Sequence, residues 1–398
     1  MRPQILSALA NPIYRAVAVG NAVSMLGIWM QKVAVGWLAW DLSHSTAWLG
    51  AVAAADLLPA VFLSSFFGSL ADGSNKAHLV MLAQSAAMVQ ALVLAALTFT
   101  GFIEVWSLFA LTLALGVANS VDQPSRLSLL REIVEPRLLT SAITLNSISY
   151  NLARFLGPML AGLLIARVDI GVTFLVSAAT LGCFALSLLR VPHPPPPSGQ
   201  RPRMLAGTGD GYRYVLSHPV VRRTLLVNLT FGATVGGVNQ LLPALADRLF
   251  GRGVSGFVEL TVSAGLGALA AGMLLLAFPP AGRSFGRMIP SLGGAALALA
   301  ALAAATDYWI GVSALFAATF ASTYAAIICQ STLNEESRPE MLGRVMGAYS
   351  ALVRGAPALG GFVIGMLAPF AGFPAIILAC ALWAAIYAIL LLRPARRN

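Results

Sequence analysis

Four ionisable side chains stand in stretches of sequence that are otherwise apolar: Lys32, Asp56, Arg154 and Arg354. A charge at the centre of a membrane-spanning helix costs about 2.5–3.5 kcal/mol on insertion scales, so each needs a partner or a task. Lys32 and Asp56 each lie twelve residues from His44, in opposite directions. In an antiparallel hairpin turning at His44 that spacing sets both at one depth, roughly 12 Å inside the outer boundary. An ion pair would lower the burial cost of both. It has two uses: a proton-linked switch, in which protonating Asp56 frees Lys32, or a static tie between helices. A Lys32 that snorkels outward alone is the third reading.

Arg154 and Arg354 have no carboxylate at matching depth, because Glu259 falls near the outer end of its segment. A guanidinium without a carboxylate suits an anionic substrate, through bidentate contacts to carboxylate, phosphate or catecholate oxygens. It equally suits a backbone carbonyl released by a nearby proline, and Pro158 and Pro357 follow within four residues. Asn21, Ser24 and Gln31 recur at helical spacing on one face, as Asn228 and Asn239 do later in the chain. Such residues either line an amphipathic cleft or bond one helix to the next.

The elements that must position these groups are helices in a bilayer. Hydrophobic residues make up 58% of the 398 and charged residues 10%, a balance outside that of water-soluble domains. Twelve apolar segments fall near 16–40, 48–70, 79–99, 104–121, 142–166, 171–190, 223–246, 256–278, 286–305, 308–330, 345–368 and 373–392. The first is too long for a cleavable signal and is expected to be retained. The fold class expected is an all-α membrane protein of twelve transmembrane helices in two pseudo-symmetric six-helix bundles.

The net charge of +10 is distributed by topology. With the N-terminus inside, nineteen of the 25 Lys and Arg fall on the inner side, and Arg167, Arg248 and Arg252 are all that the outer loops hold. This places both termini in the cytoplasm and explains the basicity without a nucleic-acid partner. Cys183, Cys329 and Cys380 all fall inside spans and the four His lie far apart, so no disulfide framework, metal cluster or nucleophile–base pair is read. No cofactor and no enzymatic activity are expected.

Composition breaks once, at Val191-Pro-His-Pro-Pro-Pro-Pro-Ser-Gly199 with Arg201 and Arg203 behind it. Polyproline of this kind does not cross a membrane. The expected organisation is therefore a bundle over 1–190, a cytoplasmic linker over 191–221 and a bundle over 222–398. A short interfacial helix fits 207–218. The bundles resemble each other: Pro12, Arg15, Asn21 and Lys32 match Pro219, Arg222, Asn228 and Asn239 at a constant offset of 207, and Arg154 matches Arg354 at 200. Parallel six-span repeats are the construction of alternating-access transporters, with substrate held between the repeats.

Several motifs carry a family likeness. Gly68-Ser-Leu-Ala-Asp72-Gly-Ser-Asn-Lys76, between the second and third segments, resembles the cytoplasmic signature of the major facilitator superfamily, with Gly73 where a basic residue is usual. The resemblance implies that Gly68, Asp72 and Lys76 form a conformational latch; a capping Asp in a turn is the plain alternative. Gly157-Pro158-Met-Leu-Ala-Gly162 is similar to the signature of the superfamily's proton-exchanging exporters. Physically, Gly157 and Gly162 permit close helix approach and Pro158 can bend the segment as a gate.

Gly27-Ile-Trp29-Met-Gln31-Lys32, Asp122-Gln-Pro124-Ser-Arg126, Arg154-Phe-Leu-Gly157-Pro158 and Arg344-Val-Met-Gly347 together resemble the branch of enterobactin exporters and transmembrane secretion effectors. Thr112 stands nearest the place where drug exporters often carry a basic residue. The superfamily lines its cavity with spans 1, 4, 7 and 10, which implicates Asn119, Tyr324 and Gln330 beside Asn21, Gln31, Asn228 and Asn239. The resemblance implies a secondary transporter of the bacterial inner membrane, acting as a monomer and exporting a small siderophore-like or drug-like organic molecule in exchange for protons. An importer, a lipid transporter and a non-transporting receptor or assembly factor are the alternatives.

Overall fold

The computed structural model describes residues 8–72, 74–191, 208–278 and 285–392; the side chains of residues 64–72, 127, 140, 208–212, 285, 339 and 340 are outside that description. The proline-rich stretch from Pro192 to Ala206 therefore lies outside the described residues, as do the side chain of Asp72 and the surroundings of Gly68. Every regular element described is a helix. The first six long ones are α1 (Pro12–Ser43), α2 (Thr46–Asp72), α3 (Lys76–Thr100), α4 (Val105–Ile133), α5 (Leu139–Arg167) and α6 (Ile170–Leu188). A short α7 (Thr208–Ser217) follows, where the linker helix is expected. Then come α8 (Pro219–Phe231), α9 (Gly237–Gln240), α10 (Leu242–Ala244), α11 (Gly253–Ala277), α12 (Met288–Ala303), α13 (Tyr308–Glu336), α14 (Pro339–Ala371) and α15 (Phe373–Leu392).

Ten of these are long and apolar enough to cross a bilayer. Pro219–Gln240 and Leu242–Leu249 meet at 53° and make an eleventh when taken as one bent span. The break has a local cause. Pro243 has no N–H, so the carbonyl of Asn239 loses its helical partner, and Leu241 leaves helical geometry at φ −108° and ψ 12°. Helix α12, at 16 residues, is shorter than the roughly 20 a full span needs.

The helix ends follow from single residues. Asn75 caps α3 by accepting from the His78 N–H, Asp169 caps α6 through the Gly171 N–H, and Asp307 caps α13 through the Trp309 N–H. Gly101 closes α3 at φ 73°, a left-handed turn that favours glycine. Helix α4 runs on to Ile133, well past the expected end near 121, so Asp122 and Arg126 belong to the helix itself.

By contacts the chain forms two compact units. One comprises Met1–Leu42 with Ala55–Met204, the other Ser43–Ala54 with Leu205–Asn398. In the first, Val17, Ala77, Val80, Leu129, Phe184 and Leu188 make an apolar core between α1, α3, α4 and α6. In the second, glycines let backbones touch: a Cβ on Gly237 would fall 2.8 Å from the Gly360 carbonyl carbon, and one on Gly236 2.9 Å from the Pro357 ring. The first turns of α2 belong to this unit, where the Thr46 hydroxyl donates to the Gly365 carbonyl at 2.7 Å and Arg248 donates to the His44 carbonyl at 2.5 Å.

The internal likeness is visible in helix register. Pro12 and Pro219 each open their helix at its first turn, where a missing N–H costs nothing. Arg154 and Arg354 each stand fifteen residues beyond the first of their helix, Leu139 or Pro339.

Candidate functional site

The first unit carries a cluster of charge and aromatic surface on α1, α2 and α5. Lys32 on α1 donates to Asp56 on α2, with Nζ 2.5 Å from Oδ2. The two side chains are 36% and 16% exposed, so the pair is half-sheltered rather than sealed. Trp29 lies three residues before Lys32, on the same face of α1. The Lys32 ammonium stands over its indole at 5.9 Å from the ring centroid, and the Arg154 guanidinium stands over it at 5.7 Å. Tyr150, one turn before Arg154 on α5, meets the indole edge-on at 5.8 Å and 73°. The cluster thus holds two cations, one carboxylate and two aromatic rings, with Tyr150 exposed.

Arg154 makes no hydrogen bond or ion pair among the described residues; its contact is the indole, rather than a carbonyl freed by Pro158. Gly157 explains how the indole is seated. A Cβ there would fall 2.5 Å from the Trp29 Cβ and 3.3 Å from the Met30 nitrogen, so only a bare backbone lets α1 and α5 close at this level. Pro158 is buried inside α5 and Gly162 lies one turn further on.

Two other predicted residues of α1 are committed to helix packing. The Asn21 amide donates to Asn146 Oδ1 at 2.8 Å, and its oxygen accepts from Arg126. Arg126 also pairs with Asp122 at 2.5 Å, one turn back on α4, and lies over the Phe184 ring. Asp122 accepts from Gln84 Nε2 at 3.0 Å, and Gln84 Oε1 accepts from the Ser24 hydroxyl at 3.0 Å. This is one continuous buried polar chain through α1, α3, α4 and α5. Gln31 is 3% exposed; its amide donates to Gln90 and its oxygen accepts from Ser177. Thr112 bonds within its own helix, to the Leu108 carbonyl.

The remaining predicted residues are placed as follows. Lys76 pairs with Glu132 at the far end of α4, at 2.8 Å. In the second unit, Asn228 is 6% exposed and its amide nitrogen has no partner among the described residues; nor has the buried Asn239 Oδ1 beside the break in the span. Tyr324 stacks on Phe320 at 6.3 Å and Arg354 is half-buried on α14. Gln330 is exposed and Asn119 half-buried.

Neither Trp29 and Tyr150 nor the Gln84–Asp122–Arg126 chain stands among the residues singled out from spacing. The signal for Trp29 was its place three residues from Lys32. For the buried chain the signal was the Asp122-Gln-Pro-Ser-Arg126 motif, whereas Gln84 lies in a run that reads as ordinary spanning sequence.

Long apolar helices that carry the Lys32–Asp56 pair and the stacked Arg154, with Arg154 and Arg354 in one helix register, are those of a transporter of the major facilitator fold. That fold is shared with the nucleoside transporter NupG, at TM-score 0.70 and 15% identity over 96% of this chain and 98% of that one. A bacterial homologue of the human lysosomal transporter Spinster, in an inward-facing occupied form, gives TM-score 0.72 and 16% identity over 96% and 97%.

The model of the transmembrane secretion effector family matches residues 4–397, and the chain belongs to that family. The enterobactin exporter EntS of Shigella boydii is 25% identical over 363 residues, covering 90% of this chain and 85% of that protein. A staphyloferrin A transporter of Staphylococcus aureus is 26% identical over 231 residues; the match spans 56% of this chain and 57% of that protein, less than two thirds of either.

Proposed function

We propose that the protein is a bacterial inner-membrane exporter that moves a small anionic organic molecule of the siderophore type outward by alternating access, driven by inward proton movement. Both termini are then cytoplasmic. The observation that carries the reading is the Lys32–Asp56 pair at 2.5 Å with the Arg154 guanidinium held close by on Trp29.

Asp56 is the proton carrier in this scheme. A proton on its carboxylate removes the charge that holds Lys32, and a freed ammonium beside Arg154 raises the positive potential offered to an anion. Loss of the proton re-forms the pair and weakens the hold on the anion, so proton and substrate occupy the site in an order that couples their movements. Among the described residues the partner of Asp56 is Lys32 from α1, whose ammonium shares the Trp29 indole with Arg154 and Tyr150 from α5. Asn228, Asn239, Tyr324 and Arg354 are the substrate contacts assigned to the second unit, with Asp72 and Lys76 as the latch and Gly157, Pro158 and Gly162 as the gate. The relatives named for enterobactin and staphyloferrin A support an iron-chelating anion as cargo.

Purified protein in liposomes with an internal pH dye and an imposed proton gradient tests this. Enterobactin, staphyloferrin A, cationic drugs and lysolipids are added in turn to the unsubstituted protein and to Asp56→Asn. Substrate-dependent proton flux that vanishes in Asp56→Asn is the expected result. Flux retained by the variant removes Asp56 from the proton path, and substrate movement without proton movement removes the coupling altogether.

A further inference from the structure

Two cations and one carboxylate share the face of α1, α2 and α5, so the carboxylate has to be divided between them or denied to one. We propose that Trp29 is a positioning residue that holds Arg154 on its indole and so leaves the Asp56 carboxylate to Lys32. The inference rests on the reading of this face as the place where an anionic substrate is held.

In this half-sheltered cluster both cations are drawn to Asp56, its one carboxylate among the described residues. The observed arrangement is unequal: Lys32 is bonded to Asp56, while the Arg154 guanidinium, 5.7 Å from the indole centroid, has no carboxylate among the described residues. The π-face of an indole is the strongest aromatic acceptor for a guanidinium, and it supplies attraction without net charge. That attraction is weaker than a charge-assisted bond to a carboxylate. An incoming carboxylate, phosphate or catecholate therefore takes Arg154 from the indole at little cost. With Arg154 already bonded to Asp56, the same ligand would first have to break an ion pair.

The seat for the indole is built by two further residues. Gly157 gives Trp29 a bare stretch of α5 to lie against, one turn from Arg154, and Tyr150 braces the ring edge-on from the turn before. Arg154, Gly157 and Tyr150 fall on one face of α5 because they are spaced by three and four residues. The tryptophan is thus held between helices, with the guanidinium over its ring.

The test uses full-length protein in nanodiscs and thermal unfolding of Asp56→Asn, Arg154→Gln and their combination. The cycle is repeated in the native, Trp29→Phe and Trp29→Leu backgrounds, with Trp29→Met replacing Trp29→Leu if that variant does not fold. In the native and Trp29→Phe backgrounds the two changes are expected to add within about 1 °C, as for groups that do not interact. In Trp29→Leu the double variant departs from additivity by several degrees, because Arg154 has turned to Asp56. Coupling in the native background as large as in Trp29→Leu, or additivity in all three, overturns the proposal.

A second measurement follows enterobactin transport. Trp29→Leu is expected to raise KM about tenfold and Trp29→Phe to stay within about twofold, since phenylalanine keeps the π-face. An unchanged KM in Trp29→Leu overturns the proposal. Failure of the native protein to move enterobactin counts against the cargo assigned above, and the unfolding cycle, which needs no substrate, still decides the role of Trp29.

Discussion

Lys32 and Asp56 meet across the α1–α2 hairpin with Nζ 2.5 Å from Oδ2, and their exposures differ, 36% against 16%. The difference sets which partner suffers more from the loss of the other. An ammonium on a four-carbon stem can reach toward water, whereas the shorter carboxylate cannot. Lys32→Met is expected to destabilise the protein by about 2–3 kcal/mol, below the range for fully buried pairs, and Asp56→Asn by less. Removing both should cost less than the sum. Strictly additive losses in thermal unfolding would show that the pair contributes nothing as a pair.

Gly157 and Gly272 differ in what a methyl group would meet. At Gly157 it would press on Trp29 within 2.5 Å, whereas at Gly272 nothing lies within 4 Å. Gly157→Ala should therefore cost about 1–3 kcal/mol through overpacking. Gly272→Ala should be neutral or raise stability by up to about 1 kcal/mol, since alanine favours the helix. Equal melting temperatures for the two variants would contradict the close α1–α5 contact.

Asp122 is bonded by both Arg126 and Gln84 in a chain largely sheltered from solvent, and Arg126 Nε is already without a partner among the described residues. Asp122→Ala leaves a guanidinium buried without its counter-charge, at a cost of about 3–5 kcal/mol. Combining it with Arg126→Leu should recover part of that loss. A double variant less stable than Asp122→Ala alone would mean that Arg126 is held by Asn21 and Phe184 and not by charge.

The Lys76–Glu132 bridge offers the contrast. Glu132 is 42% exposed, and exposed pairs contribute under about 1 kcal/mol. Glu132→Gln should shift the melting temperature by about 1 °C or less, and by less still in molar salt. A loss comparable with that of Asp122→Ala would show that the bridge is shielded by something other than its own unit.

Asn239 carries a buried side-chain oxygen with no partner among the described residues, beside its own carbonyl, to which Pro243 has no N–H to offer. An unpaired buried polar atom weakens a fold, so Asn239→Leu is expected to raise the melting temperature by a few degrees, equivalent to about 1 kcal/mol. If the oxygen serves a substrate, transport falls in the same variant. Stability and transport moving in opposite directions mark a residue retained for function; a fall in both marks one that packs.

Much of this was legible in the chain. Apolar runs longer than any soluble core needs set the helices, because a bilayer leaves backbone groups no other way to be satisfied. Equal spacing from His44 set Lys32 and Asp56 at one depth, and the 207- and 200-residue offsets placed Pro12 with Pro219 and Arg154 with Arg354 in helix register. The face of a helix on which a residue lies follows from its number, but the neighbour that covers that face does not. In a membrane protein the lipid side and the packed side are both apolar, so the amphipathic signal that orients a soluble helix is absent. That is why Asn21 and Gln31 read equally as cleft residues or as bonds between helices, and only the tertiary structure turns them to Arg126, Asn146, Gln90 and Ser177. It is also why Trp29 stood only as a member of a family motif until α5, bared at Gly157, laid Arg154 across it.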